Sequence, residues 1–339
     1  MIKASTQTIG VIGSGGMGSR HIRNLASQTP AQVVAIMDID RERAEAVAAD
    51  ATAGGCKVLT DANALITDPS VGAVLIASPH RFHAEAALAC IEAGKPVLCE
   101  KPLATNLADA KKVLDAEVAG GKRLLQLGLM REYDPAHKAV KECAARGDLG
   151  ELLMFRGIHC HSGLGRCRTT EDVIMNSAVH DIHSARWLFG EIAEVYVQRL
   201  VADKTKPESC RLLLVQMSFR DGGLGQIEVN VDSGYGYQVD VELTGSQGSI
   251  RTAPASASTV RKAGQKIEFI DEDWLERFEM AYIHEVQAWV RSLILDQPTG
   301  PSTWDGYAAM VVADACVQSA KTGLPVAVPA LQAPEMYAR

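Results

Sequence analysis

No apolar run in this chain approaches the roughly 18 to 20 residues that span a bilayer, which excludes a helical membrane protein. Positive charge is short as well: 34 Lys and Arg stand against 41 Asp and Glu, for a formal net charge of -7. Phosphate backbones require a basic surplus, so nucleic acid is not an expected partner. The eight cysteines follow no repeating spacing and read as reduced small hydrophobes, not as a disulfide framework. The opening Met1-Ile2-Lys3-Ala4-Ser5-Thr6-Gln7 lacks an apolar h-region, so a cytoplasmic protein is expected. Internal repeats and low-complexity tracts are also missing. What remains is a soluble globular composition, 47% hydrophobic and 22% charged over 339 residues, long enough for two domains. A small metabolite is the expected partner.

The first half alternates strands and helices. Thr8 to Ile12 reads as a buried strand, followed by Gly13-Ser14-Gly15-Gly16-Met17-Gly18 and a helical pattern carrying Ile22 and Leu25. This is G-x-G-x-x-G between a strand and a helix. Gly13 permits the tight turn, Gly15 lets the backbone approach a pyrophosphate, and Gly18 allows close helix-strand packing. Gly16 and Met17 complete the phosphate-facing loop. The next strand ends at Asp38, 20 residues after Gly18, the position of the acid that hydrogen-bonds an adenosine ribose. Asp38 would repel a 2′-phosphate, which favours NAD over NADP, with nearby Arg41 leaving room for dual use. The alternative for Asp38 is a cap on the helix opening at Arg41.

Further elements follow: a helix over 62–67, a strand over 73–77, a helix over 82–93 and a strand over 96–99, each crossover punctuated by Gly or Pro. The pattern predicts a doubly wound parallel sheet. Ser78-Pro79-His80 sits at one strand end, where the chain can pass a nicotinamide ribose, and His83 opens the next helix. Both histidines are equally readable as polar helix-start residues. Glu100-Lys101-Pro102 sits at another strand end, beyond which open α/β sheets bind their ligands. An alternative for Lys101 is a surface lysine with its stem on apolar neighbours.

The chain resembles the Gfo/Idh/MocA oxidoreductases, and within them the myo-inositol dehydrogenase branch. The resemblance is carried by Gly13 to Gly18, Glu100-Lys101-Pro102, the run Met130 to Pro135, Asn176-Ser177-Ala178-Val179-His180-Asp181, Tyr235-Gly236-Tyr237 and the run Asp273 to Phe278. It implies an NAD-dependent dehydrogenase that oxidises a secondary hydroxyl of a cyclic polyol or sugar, and a homo-oligomer, four subunits being the expectation. Two alternatives stay open: a sugar or glycoside oxidoreductase acting on an aldose, anhydro-sugar or ketose, and a non-catalytic NAD(P)-binding regulatory protein.

Alcohol oxidation needs a hydride acceptor and a base for the hydroxyl proton. Lys101 suits the second role, since burial and neighbouring cations can lower a lysine from about 10.4 toward roughly 7 to 8. His180 is the acid–base partner that the resemblance implies, with a satisfied helix histidine as the alternative. Asn176 lies four residues before it, on one helix face. The family commonly has Asp at the positions of Asn176 and His183. An Asn removes a charge that would raise the basicity of its histidine neighbour, which should alter substrate preference or pH dependence. The expected catalytic residues are Lys101, His180 and Asn176. Cofactor contacts are expected from Gly13, Gly15, Gly16, Met17, Gly18, Asp38, Ser78, Pro79, His83, Glu100 and Lys101. Substrate contacts are expected from Lys101, Arg131, Asn176, His180, His183, Tyr235 and Tyr237.

His159-Cys160-His161 with Cys167 suggests zinc by ligand type. Adjacent strand residues face opposite ways, so Cys160 cannot easily join the two histidines, and no metal is expected. Tyr235 and Tyr237 would share a strand face by the same period of two, and packing explains them equally well. After a helix over 136–146 the pattern becomes successive strands: 151–161, 194–201, 211–219, 224–233 and 239–244. These predict an antiparallel or mixed sheet with helices on one face, and a hairpin at Gly222-Gly223. The other face should be covered or unusually apolar. The domains are expected over 1–127, binding NAD, and 128–339, binding substrate and forming the oligomer. A last helix over 305–322, capped by Ser302-Thr303 and stopped by Gly323, is placed back against the first domain.

Overall fold

The computed structural model describes residues 6–52, 55–163, 168–253 and 259–338. Two compact units are present. The first holds residues up to Met130 together with Ala281–Ala308 and Gln332–Arg339, and the second holds Arg131–Met280 and Ala309–Leu331.

Six short strands, β1 (Thr8–Ile12), β2 (Gln32–Met37), β3 (Lys57–Leu59), β4 (Ala73–Ile76), β5 (Val97–Glu100) and β6 (Leu125–Gly128), form one sheet in the order β3-β2-β1-β4-β5-β6. Every neighbouring pair is parallel. β4, β5 and β6 are buried along their whole length, as their nearly continuous apolar sequences require when helices cover both faces. The crossovers are α1 (Gly16–Gln28), α2 (Arg41–Ala51), α3 (Ala62–Thr67), α4 (His83–Glu92) and α5 (Leu107–Gly120). Side chains cap several of them: Asp40 accepts from the Arg43 amide, Asp61 from Asn63 and Ala64, and Asn106 from Asp109. The order reverses between β1 and β4, and the crevice of such a sheet opens there.

The core of this unit is shared with a segment far along the chain. Ile9, Val11, Ile36, Leu75 and Leu98 pack with Ile22 and Leu25 of α1 and with Val286, Trp289 and Val290 of the helix Glu279–Leu295. Each such side chain contributes about 1.5–3 kcal/mol on burial. The compact units differ in this respect from the division expected from the sequence, 1–127 and 128–339. The first unit ends three residues later and reclaims a distant helix, because that helix has its apolar stripe on this sheet. The last helix runs Thr303–Thr322, two residues longer at its start than expected, and only its residues up to Ala308 belong to the first unit. Its Gly306 lies so close to β6 that a Cβ there would come 2.5 Å from Leu127 Cδ2.

The second unit begins with α6 (Pro135–Ala145), capped by Asp134, whose side chain accepts from the His137 amide. β7 (Leu152–Cys160) then enters a seven-stranded mixed sheet. Across it run Ser249–Arg251, Gln238–Gly245, β7, Leu224–Asn230, Leu212–Phe219, Ile192–Leu200 and Val326–Ala327. Only the β7 and Leu224–Asn230 pair is parallel. Gly222 and Gly223, with φ of 98° and 87°, make the expected turn between the strands ending at Phe219 and starting at Leu224. Leu213, Val215, Met217, Ile227, Val229, Val239, Val241 and Leu243 make the buried face. The opposite face carries Arg156, Gln226, Glu228, Gln238, Asp240 and Glu242. Met154, Ile158, Leu212, Leu214 and Leu224 stand among them, so this face mixes apolar with polar and charged side chains.

Candidate active site and cofactor pocket

At the end of β1 the chain turns on Gly13, whose φ of 96° belongs to the region that favours glycine. The Gly13 amide donates to Met37 O at 2.7 Å, tying the turn to β2. α1 then packs so tightly that a Cβ on Gly18 would sit 1.9 Å from Gly13 O. At Gly15 and Gly16 a Cβ would meet nothing within 4 Å, so the loop presents bare backbone outward. The first turn of α1 has no acidic side chain to oppose a phosphate at its N-terminus.

This surface is one wall of a pocket of about 630 Å³ within the first unit. Of the expected cofactor residues, Gly13, Gly15, Gly16, Met17, Asp38, Ser78 and Pro79 line it together. Gly18, His83, Glu100 and Lys101 are not among its lining residues. For Gly18 the reason is its packing role.

Asp38 is nearly buried, and its Oδ2 accepts from the Ser14 amide at 2.7 Å and the Ser14 hydroxyl at 2.8 Å. Its Oδ1 accepts from the Asp40 amide at 3.0 Å and from Arg43 at 2.6 Å. Burial alone would raise this carboxyl, but the hydrogen bonds from Ser14, Asp40 and Arg43 outweigh it and bring the pKa down to about 2. An ionised acceptor therefore stands at the pocket wall. Asp40, not Asp38, caps α2, so the capping alternative for Asp38 fails. Arg41 pairs with Glu45 instead of approaching Asp38. Arg43, also on the pocket wall, is the cation beside the acid.

His83 does not face the pocket. It is fully buried, with Nδ1 at 2.8 Å from Pro102 O and Nε2 at 2.7 Å from Ser78 O. The ring staples the segments leaving β4 and β5, and the expected cofactor contact is corrected accordingly. The pocket histidine is His80, which burial and then the Lys101 charge lower to about 4, so it is neutral at physiological pH. Lys101, half-buried at the end of β5, thus acts electrostatically on a pocket residue. Glu100 points inward to His21.

In the second unit the residues expected to meet substrate separate into two groups. Thr170 starts a helix that becomes a π-turn over Ile174–Ala178 and continues as the helix Val179–Leu188. π-turns recur at functional sites. Asn176 is on this turn, its Nδ2 donating to Asp172 O at 3.0 Å, and His180 follows in the first turn of the regular helix, nearly buried. The purely α-helical face expected for this pair is corrected to one that includes the wider turn.

Behind them lies an interior network. Arg131 is 1% exposed, and its guanidinium donates to Asp181 Oδ1 at 2.5 Å. His159 Nδ1 lies 2.8 Å from Asp181 Oδ2, and its Nε2 lies 3.1 Å from the Tyr237 hydroxyl. Burial would raise Asp181, but the charges of Arg131 and His159 hold it down at about 2. The His161 ring stacks on His159 at 4.5 Å, and its Nε2 lies 3.2 Å from Ser177 Oγ. Burial and then His159 lower His161 to about 3. Asp181, invisible as anything but a motif member in the sequence, orients both Arg131 and His159.

Three of the residues expected to meet substrate have other partners in this structure. Arg131 is spent on Asp181. His183 is interior, with Nε2 3.0 Å from Glu132 Oε1. Tyr235 is exposed and donates to Gln238 Oε1 at 2.7 Å. It does not share a face with Tyr237, since Gly236 with φ of 130° breaks the alternation before the strand starts at Gln238. Of the His159-Cys160-His161 and Cys167 group, the two histidines converge as expected, and Cys167 lies outside the described residues.

Residues 7–128 match the model of the oxidoreductase family with an NAD-binding Rossmann fold, and residues 141–328 match the C-terminal alpha/beta domain of the same Gfo/Idh/MocA family. The chain belongs to this family. It is 45% identical over 335 residues to the inositol 2-dehydrogenase of Rubrobacter xylanophilus, covering 98% of this chain and 96% of that one. It is 39% identical over 337 residues to inositol 2-dehydrogenase 2 of Saccharopolyspora erythraea, with 98% of each covered. Among solved structures, the myo-inositol dehydrogenase of Lactobacillus casei in complex with NAD(H) and myo-inositol superposes with a TM-score of 0.93 at 31% identity, over 98% of this chain and 100% of that one.

As a Gfo/Idh/MocA oxidoreductase, the protein is an NAD-dependent dehydrogenase acting on CH–OH groups. Its pocket fits that cofactor. Bare backbone at Gly15 and Gly16 suits a pyrophosphate, and the ionised Asp38 suits ribose hydroxyls. Arg43 gave no signal in the sequence, because i+5 from Asp38 marks neither a motif nor a helix pair. The Asp181 and His159 pairing was equally hidden, joining residues 22 positions apart.

Proposed function

We propose that this oxidoreductase oxidises one secondary hydroxyl of a cyclic polyol to a ketone, with an inositol as substrate. The 45% identity to an inositol 2-dehydrogenase over nearly the full chain carries this reading, supported by the ionised Asp38 at the pocket wall. The nicotinamide ring supplies the hydride acceptor when NAD is bound in the first unit. The carbinol C–H bond breaks with its electron pair leaving to that acceptor, while the hydroxyl proton passes to Lys101 Nζ. His180 is the second acid–base group, and Asn176 orients a hydroxyl as donor and acceptor. Tyr237, with its hydroxyl on His159, is the remaining substrate-side group. The protein is a cytoplasmic homo-oligomer, with four subunits as the family resemblance implies.

Asn176 favours keeping a second reading, a sugar or glycoside oxidoreductase, since the family commonly places a carboxylate there. His183 no longer bears on that choice because Glu132 holds it inside. A panel of inositol isomers and pyranoses with NAD and with NADP, followed at the nicotinamide absorbance, separates the two. Turnover of an inositol with NAD is expected. Activity on a pyranose with none on any inositol decides for the second reading. Lys101→Ala should abolish turnover while NAD still binds, and an undiminished rate would overturn the proton-transfer role.

A further inference from the structure

Three ionisable side chains meet in the interior of the first unit beside Lys101. His21 on α1, Glu100 at the end of β5 and Glu285 in the helix Glu279–Leu295 each bring one nitrogen or oxygen to a cluster in which these atoms lie within 4.8 Å of one another. His21 and Glu285 are 0% exposed. His21 Nε2 is 2.7 Å from Glu100 Oε1, and the Lys101 amide donates to Glu100 Oε2 at 3.2 Å. Glu285 has no hydrogen bond at either oxygen among the described residues, although it is wholly enclosed. Its own helix is otherwise apolar here, with Val286, Trp289 and Val290 in the core, and the Tyr282 ring lies edge-on to His21 at 5.9 Å. Glu100 is the charge that acts on Glu285, and His21, Lys101 and His83 act on Glu100.

Two carboxylates this close in a dry interior cannot both be ionised unless a cation joins them. Their surroundings push them apart. Burial raises Glu100, but the His21 hydrogen bond and charge outweigh it and keep Glu100 below its ordinary value. Burial and then the Glu100 charge raise Glu285 well above its own.

We propose that Glu285 is a proton-holding positioning residue: as a neutral acid it limits the Glu100 and Glu285 pair to one negative charge and so fixes Glu100 against the backbone of Lys101. This rests on Lys101 as the proton acceptor, but its first test does not.

An unfolded glutamate ionises above about pH 4.3, whereas Glu285 in the folded protein stays protonated. Above that pH the unfolded state binds fewer protons, so folding weakens by up to roughly tenfold per pH unit from this group until its folded-state pKa is reached. Thermal midpoints of the wild type and Glu285→Gln between about pH 5 and about pH 8 should therefore diverge, with the Gln variant the more stable at the upper end. Parallel pH dependences would overturn the proposal. Glu285→Ala should lower kcat about tenfold or more with KM for the alcohol nearly unchanged, and Glu285→Gln should restore most of it. A Gln variant as impaired as Ala would also overturn it. So would a rise in the wild-type midpoint on adding Zn²⁺ alone that Glu285→Gln lacks, since a cation would then hold the place of the proton. Full turnover in Lys101→Ala would defeat the catalytic reading of that lysine and leave the divergence of the midpoints standing as the test of Glu285.

Discussion

Replacing Asp38 with Ala should turn cofactor preference from NAD toward NADP, and the size of the effect follows from the pocket wall. Asp38 is ionised, with a pKa of about 2, and faces the pocket beside Arg43. A hydrogen bond from a ribose hydroxyl to such a charged acceptor contributes about 1.5–3 kcal/mol, which is roughly 10- to 150-fold in kcat/KM for NAD. A 2′-phosphate of about two negative charges placed some 5 Å from this carboxylate is repelled by at least about 1.5 kcal/mol, even at the dielectric constant of water. Removing Asp38 ends that repulsion and releases Arg43, now 2.6 Å from Oδ1, to meet the phosphate. The ratio of kcat/KM for NADP to that for NAD should therefore rise by about two to three orders of magnitude. The same substitution has a stability cost. A carboxyl lowered from 3.8 to about 2 contributes about 2 kcal/mol, present above its unfolded pKa and lost as pH falls from about 4 toward about 2. The assay is initial rates with both cofactors near neutral pH, alongside a thermal midpoint to confirm folding. An NAD loss under about threefold with no NADP gain would refute this account of the wall.

Two further substitutions test the scaffold around the site. Gly18→Ala places a methyl group 1.9 Å from Gly13 O, so the turn must open; NAD affinity by fluorescence titration should fall by about tenfold or more, and an unchanged affinity would contradict the packing role. Asp181→Asn leaves Arg131 as a buried cation without its counter-ion, which should cost about 3–5 kcal/mol in urea unfolding. A loss under about 1 kcal/mol would show that His159 and solvent suffice.

The first unit was largely legible because its signals are local. Apolar runs, a glycine turn and the 20-residue spacing from Gly18 mark β1, α1 and Asp38 without reference to distant parts of the chain. The differences arose where a side chain finds its partner inside the fold. His83, Arg131 and His183 carry the residue types of a binding site, but Pro102 and Ser78, Asp181, and Glu132 hold them inside the protein. A polar group satisfied by a partner inside the fold looks identical in sequence to one awaiting a ligand. Tyr235 failed for another reason: the period of two holds only within a strand, and Gly236 interrupts it. Asn176 and His180 did fall on one helical segment, yet nothing in the residues Ile174 to Ala178 announces a π-turn.

The return of the helix Glu279–Leu295 to the first sheet matters for how the protein is made. Ile22 and Leu25 emerge from the ribosome early, but Val286, Trp289 and Val290 follow some 260 residues later. Between completion of β6 and arrival of Glu285 lie about 155 residues, which at roughly 5–20 residues per second means about 8–30 s with one face of the nascent nucleotide-binding unit uncovered. A nascent chain in this interval presents apolar surface to chaperones. A gene fragment ending near residue 130 would keep that surface permanently, so any transplant of this cofactor unit into another protein has to carry residues 281–308 with it.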